Sequence, residues 1–368
     1  MPLANKETKL AKSPAEERAV FKLFSGMVKT NRDGWVYDFD KKNLTEKIHY
    51  FIKIYNYQVS SNVIDDLDYT IKWSRDLKNK LFAKKSVIFD KNKFTEVLWR
   101  PYVKQFFYSE KILNDVLTDN HYKIFGDSLD RKNLIIGFNG ANNVHWYSIA
   151  VNKIIDYNSL YGGVQCLPLY CYSPDGTRTD NITDWGLNQF RTHYQDDCIT
   201  KENIFHYTYA VLHHPAYREK YALNLKREFP RLPFYEDFSQ WVNWGKQLMD
   251  LHLNYEKVKK YPLKQIDINT TKPNKPKLKA DKKAGKIQLD EITTLQGIPP
   301  KAWDYKLGNR SALEWILDQY KEKKPRDKTI AEKFNTYRFT DYKIAVIDLL
   351  QRVCTVSVET MKIIEEMP

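Results

Sequence analysis

Apolar residues recur with helical spacing near the start of the chain and through its second half. From Ile48 to Tyr55 they fall at positions i, i+3, i+4 and i+7, which predicts an amphipathic helix over residues 44–57. Thr200 is a suitable N-cap for the next pattern. The same spacing predicts helices at residues 200–212, 215–229, 238–249, 312–320, 344–354 and 358–365. Much of the second half is therefore predicted to be helical.

Between residues 86 and 172 the pattern changes to short apolar runs bounded by turn-forming residues. Such runs are typical of strands, and they predict strands at residues 87–89, 134–138, 146–151 and 164–172, with a further one at 286–289. The polar segments 139–145 and 173–176 indicate exposed loops. The predicted fold class is α+β, with a small mixed sheet flanked by helices and an N-terminal helical connector.

Charge narrows the class of partner. The 368 residues include 59 Lys and Arg against 46 Asp and Glu, a net charge of +13, and a field of that sign favours polyanions such as nucleic acid. Residues 255–286 alone hold eleven Lys and three acidic residues, so this segment contributes +8. Its composition predicts a long basic loop, and such a loop is usually a solvated segment that attracts DNA weakly.

Motifs for common catalytic and cofactor sites are missing from the sequence. There is no Gly-x-x-x-x-Gly-Lys-Ser/Thr phosphate loop, no Gly-x-Gly-x-x-Gly turn and no Gly-x-Ser-x-Gly elbow. Adenine methyltransferases hold a flipped base with Asn/Asp-Pro-Pro-Tyr/Phe, whereas residues 298–301 read Ile-Pro-Pro-Lys. We therefore expect no catalytic residue, no cofactor site and no metal site in this chain.

The cysteines and the adjacent histidines fit structural roles. The four cysteines are too few and too irregularly spaced for a disulfide framework or a four-ligand zinc site, and Cys166 and Cys171 are predicted to be core thiols. Neighbouring residues on a helix point about 100° apart, so His213 and His214 are predicted to end a helix before Pro215. Neither a secretory apolar region nor a long apolar window is present, so we expect a cytoplasmic protein.

Six segments, taken in their order along the chain, resemble one protein family. They are residues 29–37 (KTNRDGWVY), 71–78 (IKWSRDLK), 98–102 (LWRPY), 165–170 (QCLPLY), 204–231, and 305–361 beginning YKLGNRSALEW. Over residues 20–368 the chain resembles type ISP enzymes, the single-polypeptide restriction-modification proteins. The first three segments are similar to the region that follows the methyltransferase core, and the last three to the C-terminal target-recognition part.

In that family one polypeptide carries a nuclease, a helicase-like motor, an S-adenosylmethionine-dependent adenine methyltransferase and a specificity segment. This chain resembles only the specificity segment and its connector. The resemblance implies recognition of a specific duplex DNA sequence that directs adenine-N6 methylation and cleavage by other modules. S-adenosylmethionine is then expected in the associated methyltransferase, and the expected partners are double-stranded DNA with the methyltransferase and helicase/nuclease modules.

The resemblance also implies a division of the chain. We expect a flexible N-terminus at residues 1–20, a connector at 21–130 that packs on a methyltransferase core, and a target-recognition domain at 131–368 that includes the basic loop 255–286.

Candidate DNA-binding residues fall into two groups. Side chains that contact base edges are expected among the amides and guanidinium groups of loops, because Asn pairs with adenine and Arg with guanine in the major groove. They are Asn139, Asn142, Asn143 and His145, then Arg178 and Asn181, then Arg191 and Gln195. Phosphate contacts are sought at Lys72 and Arg75 and at Lys277, Lys279, Lys282 and Lys283. The alternatives are that the asparagines form turns and that Lys72 and Arg75 mark a solvated helix start.

Two other functions are alternatives to sequence-specific DNA recognition. The first is an autonomous methyltransferase or nuclease, for which Asp290 and Glu291 would be the acidic residues. The second is a scaffold that binds a protein partner through exposed aromatic side chains and touches DNA through charge alone. Arg100 is expected to be structural, stacked on rings and paired with a carboxylate.

Overall fold

The computed structural model describes residues 1–61, 67–139, 146–159, 163–269 and 274–368. Its helices, in chain order, are α1 Lys6–Leu10, α2 Asp33–Val36, α3 Lys41–Ser61, α4 Arg75–Phe82, α5 Asp119–Phe125, α6 Asp184–Tyr194, α7 Lys201–His213, α8 Pro215–Lys220, α9 Ala222–Leu225, α10 Phe238–Leu253, α11 Lys301–Asp304, α12 Ala312–Gln319, α13 Lys328–Lys333 and α14 Phe339–Glu365.

The strands are β1 Ser25–Gly26, β2 Tyr37–Asp38, β3 Phe94–Arg100, β4 Val103–Tyr108, β5 Ile135–Asn139, β6 Ser148–Val151, β7 Ile154–Ile155, β8 Val164–Pro168, β9 Tyr170–Tyr172, β10 Arg178–Asp180, β11 Lys264–Asp267, β12 Pro276–Asp281, β13 Lys286–Asp290, β14 Thr293–Gln296, β15 Lys306–Leu307 and β16 Arg310–Ser311. Helices and small sheets alternate irregularly, which confirms the predicted α+β class.

A central sheet, in the order β1-β8-β5-β6, separates two hydrophobic cores. Successive side chains of a strand point to opposite faces, so Ile135 and Ile149 enter the first core while Ile136 and Ala150 enter the second. Because both faces are covered, these strands read as continuous apolar runs rather than as alternating ones.

The first core joins the early and late parts of the chain. It takes residues from 23–129 and from 255–358. Hydrogen bonds across this core include one between the hydroxyls of Tyr102 and Tyr305, at 2.9 Å. Trp35 Nε1 also donates to Asp327, at 2.8 Å. The C-terminal part thus packs on the expected connector, and a boundary at residue 130 does not separate the two cores.

The second core is built from the middle of the chain and both termini. Helices α7 and α10 cross closely here, because a Cβ on Gly245 would lie 1.8 Å from the carbonyl oxygen of His206. Part of residues 1–20, expected to be flexible, packs into this core: Leu3 is fully buried, and the Met1 amino group donates to the Leu232 carbonyl at 2.7 Å.

Several predicted elements are confirmed and others are corrected. The helices at 44–57, 200–212 and 238–249 correspond to α3, α7 and α10, and Thr200 caps α7 as expected. The two helices predicted at 344–354 and 358–365 form one helix, α14. Residues 87–89 form no strand. The hairpin β3–β4 was not predicted.

Part of the expected basic loop forms a β-sheet instead. Strands β11, β12, β13 and β14 form an antiparallel sheet in the order β11-β14-β13-β12, which we call the lysine-rich sheet. Only β13 was predicted, from the alternation of Lys286, Ile287, Gln288 and Leu289.

In the described ranges, none of the helices has both the length and the apolar character that spanning a membrane requires.

Candidate nucleic-acid interface

Two of the asparagines predicted to read bases are buried, and their side chains bind backbone groups. Asn139 is 2% exposed, and its side-chain oxygen accepts the Tyr147 backbone N–H at 2.8 Å. Asn181 is 1% exposed; it accepts from the Leu23 N–H at 2.6 Å and donates to the carbonyls of Leu23 and Pro168 at 2.8 Å each. These amides hold backbone segments together and are not available to bases.

The remaining members of the first candidate loop, Asn142, Asn143 and His145, lie outside the described residues. Their interpretation as base readers stays a prediction.

The hairpin β9–β10 presents Arg178 to solvent. Its register pairs Arg178 with Tyr172 and Asp180 with Tyr170, and all residues of β10 are exposed. The Arg178 guanidinium lies 4.2 Å from the centre of the Tyr170 ring. A ring beneath one face leaves the N–H groups at the guanidinium edge open to an acceptor.

A cavity of about 450 Å³ adjoins this hairpin. Besides Arg178 and Tyr170, it is lined by Arg131, Lys132 and Lys153. Glu96, which pairs with Lys153, and Asp130 also line the cavity, so its four cations exceed its carboxylates by two. The surface around the hairpin is therefore suited to a polyanion.

Arg191 and Gln195 differ in availability. The Nε of Arg191 donates to the Ile199 carbonyl at 3.0 Å, so part of this guanidinium is committed to the turn after α6. Gln195 ends α6 in the left-handed conformation, with φ of 52°, and its side chain is exposed. Only Gln195 of this pair is fully presented to solvent.

Lys72 and Arg75 flank the start of α4, as in the alternative of a solvated helix start, while their contact with phosphates stays a prediction. Both side chains are exposed. Between them, the Ser74 hydroxyl caps the Leu77 N–H at 3.1 Å and donates to Asp115 at 2.8 Å. The hydroxyl is thus structural, and the two cations stay available for phosphate contacts.

A buried arginine that sequence reasoning missed supports this helix start. Arg32 is 1% exposed and pairs with Asp115 at 2.8 Å. Burial disfavours its charged form and lowers the pKa of the guanidinium, while Asp115 acts in the opposite sense. Its position in the segment KTNRDGWVY gave no sign of burial, because an arginine beside Asn and Asp is usually solvated.

The four lysines of the lysine-rich sheet divide into two pairs. Lys277 is paired with Glu291 at 3.3 Å, and Lys282 with Glu314 at 2.7 Å. Lys279 and Lys283 are exposed and form no ion pair within the ranges that the structure describes. The first two lysines are assigned to structural ion pairs, and the second two remain candidates for phosphate contacts.

Arg100 is structural, as expected. Its guanidinium lies 3.9 Å from the Trp99 ring centre and 2.9 Å from an Asp156 oxygen. Burial raises the pKa of Asp156 to about 6, although Arg100 favours the charged carboxylate.

The acidic pair proposed for an autonomous enzyme is also structural. Asp290 accepts from the backbone N–H groups of Ile292 and Thr293 and pairs with Lys343 at 2.6 Å. Burial alone would raise its pKa, but Lys343, Asn274 and the backbone donors hold it below the usual value. Glu291 is paired with Lys277 at 3.3 Å, so both acids lie in ion pairs.

The histidines and cysteines fit the predicted structural roles. His213 ends α7, and its Nδ1 lies 2.9 Å from the Tyr209 carbonyl. Cys166 is buried in the first core, as predicted, whereas Cys171 is only partly buried against it. Burial raises the pKa of Cys166, and raises that of Cys171 to about 12. Across the described part of the chain, no group of three or more His, Cys, Asp or Glu side chains could hold a metal ion.

Comparison with known proteins matches this geometry to one family. A family model described as the Type ISP C-terminal specificity domain matches residues 19–349. No curated protein matches the chain.

Three solved structures share the fold. The first, titled "cryoEM structure DrdV-DNA complex", is 44% identical with a TM-score of 0.96, over 100% of this chain and 38% of that one. A nuclease-deletion mutant of the Type ISP enzyme LlaGI, in complex with a DNA substrate mimic, is 30% identical with a TM-score of 0.81, over 96% and 33%. The ATP-dependent Type ISP enzyme LlaBIII, bound to DNA, is 26% identical with a TM-score of 0.84, over 100% and 24%. The chain thus spans well under half the length of each.

Proposed function

The chain belongs to the family of Type ISP C-terminal specificity domains, and we propose that it recognises a specific duplex DNA sequence for a restriction-modification system. Adenine-N6 methylation and DNA cleavage would be carried out by methyltransferase and helicase/nuclease modules outside this chain. The observation that carries the proposal is the match along the whole chain to structures that were solved with DNA.

Exposed cations support this proposal physically. Lys72, Arg75, Lys279 and Lys283 present unshielded charge, and such side chains hold a duplex through its phosphates without reading its sequence. Arg178 has the geometry for reading, because a planar guanidinium can donate two hydrogen bonds to guanine O6 and N7. The hairpin β9–β10 is therefore our first candidate for direct base contact, and the loop at Asn142, Asn143 and His145 is the second.

Two exposed apolar side chains support a docking role for the connector. Asn56 of α3 holds both backbone groups of Val87, at 2.7 and 2.9 Å, which fixes the neighbouring Ile88 near this helix. Ile88 is 85% exposed and Tyr57 is 68% exposed. We assign these two side chains to contacts with the methyltransferase core.

The cofactor follows from this division of labour. S-adenosylmethionine would bind the associated methyltransferase, which would receive the target adenine from the recognised site. The whole assembly would act in the cytoplasm, where host and phage DNA are both accessible.

Selection of duplexes from a random pool by the purified chain tests the proposal. At near-physiological salt, we expect one sequence motif to become enriched, because base contacts add to the uniform phosphate attraction. Binding without enrichment would favour the scaffold function.

The same preparation tests for autonomous chemistry. Incubated with S-adenosylmethionine and the enriched duplex, the chain is expected to transfer no methyl group and to leave the DNA uncut. Robust methylation or cleavage would contradict the assignment of chemistry to other modules.

A further inference from the structure

The lysine-rich sheet has one buried face and one open face. Leu278, Ile287, Leu289 and Leu295 are at most 1% exposed and enter the first core. Helix α12 packs against β12 on this inner side. The sheet is therefore anchored, and its outer face is held in a fixed orientation.

Cross-strand register places polar side chains in rows on the outer face. Lys279 on β12 lies opposite Gln288 on β13, which lies opposite Thr294 on β14. Directly opposed residues of antiparallel strands share a face. The next row runs from Lys286 to Gln296 and Lys264. Amide and hydroxyl groups thus occupy the middle of the face. Around them lie lysines, Asp281 opposite Lys286, and the partly buried Ile266 opposite Thr294.

The outer face is concave. Lys279, Lys283, Lys286, Gln288, Thr294 and Gln296 line a depression of about 640 Å³. Lys282 also lines it, but its ammonium is paired with Glu314 at 2.7 Å. Asp281 is the carboxylate that shares this lining. The depression therefore carries net positive charge together with neutral hydrogen-bond donors.

The width of the sheet decides how it could meet a duplex. Adjacent strands lie about 4.8 Å apart, so the outer strands of four are about 14 Å apart before side chains are added. The major groove is only about 12 Å wide and accepts a helix or a two-stranded ribbon. This face is thus too broad to reach base edges, whereas a concave face fits the rounded outside of a duplex.

We propose that the outer face of the lysine-rich sheet is a docking surface for the sugar-phosphate backbone of duplex DNA. Lys279 and Lys283 neutralise phosphates, while Gln288 and Thr294 donate hydrogen bonds to phosphate oxygens. The surface sets the position of the chain on the duplex and leaves sequence reading to the exposed hairpin and loops. This inference rests on the proposed DNA-recognition function.

Two double variants of the full chain test the proposal. Lys279→Ala with Lys283→Ala removes two unpaired lysines. Lys277→Ala with Lys282→Ala removes two lysines that are bound to Glu291 and Glu314. Both lower the net charge by two, so a difference between them reports phosphate contact rather than overall charge. Affinity for the enriched duplex and for a scrambled one is measured from about 50 to about 200 mM salt, with thermal unfolding as the folding control.

The expected result is asymmetric. Each lost phosphate contact lowers the slope of log affinity against log salt by about 0.9, so the Lys279/Lys283 variant should lose about 1.8 from the slope. Across that salt range the parent should then lose about twelvefold more affinity than this variant. The Lys277/Lys282 variant should change the slope by less than half as much. Preference for the enriched duplex should be unchanged in both.

Other outcomes overturn the inference. Equal slope changes in the two variants would mean that only net charge matters, and an unchanged slope in the Lys279/Lys283 variant would mean that no phosphate is contacted there. Either result would leave the proposed function standing, provided that the parent still enriches a motif. A parent chain that does not bind DNA at all would refute the proposed function, and the inference with it.

Discussion

Polar side chains play opposite roles at the two ends of the central sheet and on the lysine-rich sheet. At the central sheet, Asn139 and Asn181 are almost fully buried and bind backbone groups. On the lysine-rich sheet, Lys279 and Gln288 face solvent from paired strands. Two of the amides that seemed suited to bases are structural, and part of the segment that was expected to be a solvated loop is an ordered sheet.

This difference teaches that residue type is a poor guide to availability. An amide can satisfy a base or a peptide group equally well, since both offer a donor beside an acceptor. What separates the two regions is whether a neighbouring backbone segment has already used the side chain. Burial and partner must therefore be known before a polar residue is assigned to recognition.

The largest expected effect comes from removing the hydrogen bonds of the Asn181 side chain near the central sheet. Asn181→Ala would leave the Leu23 N–H and the carbonyls of Leu23 and Pro168 without their side-chain partner inside the protein. Each unsatisfied buried group costs about 1–3 kcal/mol, so we expect the free energy of unfolding to fall by about 4 kcal/mol. Urea unfolding measures it. Thr179→Ala on exposed β10 is the matched control, and its free energy of unfolding is expected within about 0.5 kcal/mol of the parent's. Equal losses in the two variants would show that the Asn181 side chain does not stabilise the fold through these bonds.

The pH dependence of stability probes a second buried polar group. His252 of α10 lies 2.5 Å from the Tyr209 hydroxyl and 2.9 Å from the Thr360 hydroxyl. Burial, aided by Arg218, lowers the pKa of His252 to about 3. The unfolded chain takes up this proton near pH 6.5, so the contribution of His252 to stability is present above that pH and is lost as pH falls toward 3.

His252→Gln removes this titration. Relative to the variant, the parent should lose about 2 kcal/mol of stability between pH 7 and pH 5, as one suppressed protonation requires. Chemical denaturation at the two pH values gives the difference. If the parent and the variant fall in parallel, the histidine is charged in the folded protein and is not the buried neutral group described above.

Sequence reasoning found the elements whose signals are local. The helix α7 was predicted with its cap, because Thr200 and the apolar spacing lie within a few residues of each other. The break expected within α14 was wrong: the helix continues through Ser357, whose hydroxyl donates to the Val353 carbonyl one turn earlier. The strand expected at 87–89 was wrong because the Asn56 side chain takes the backbone groups of Val87 that a strand would offer to a neighbour.

The sequence could not show which polar side chains are buried, because that depends on contacts between residues far apart in the chain. Asn181 bonds to Leu23, far away in the chain, and no local pattern predicts that. By contrast, the alternation of Lys286, Ile287, Gln288 and Leu289 already placed Lys286 and Gln288 on one face of a strand. The lysine-rich sheet could have been recognised from that alternation, had it been extended to 293–296.

A smaller effect is expected where the comparison concerns specificity. Arg178→Ala should reduce discrimination between the enriched duplex and a single-base variant by about 1.5 kcal/mol, if Arg178 donates to a guanine. Competition binding measures this difference. Arg178→Lys is the matched control for charge: it should keep the affinity for scrambled DNA but still relax discrimination, because an ammonium lacks the planar fork. Unchanged discrimination in both variants would move base reading to another loop.

The smallest expected effect separates a neutral phosphate contact from a base contact. Gln288→Ala on the outer face of the lysine-rich sheet should weaken binding to every duplex alike, by about 1 kcal/mol, the usual contribution of one hydrogen bond. The salt slope should stay unchanged, because Gln carries no charge and releases no counterion. Titrations of the enriched and scrambled duplexes at two salt concentrations measure both quantities. A loss confined to the enriched duplex would show that Gln288 reads a base, and the sheet would then have to approach the groove far more closely than its width of four strands allows.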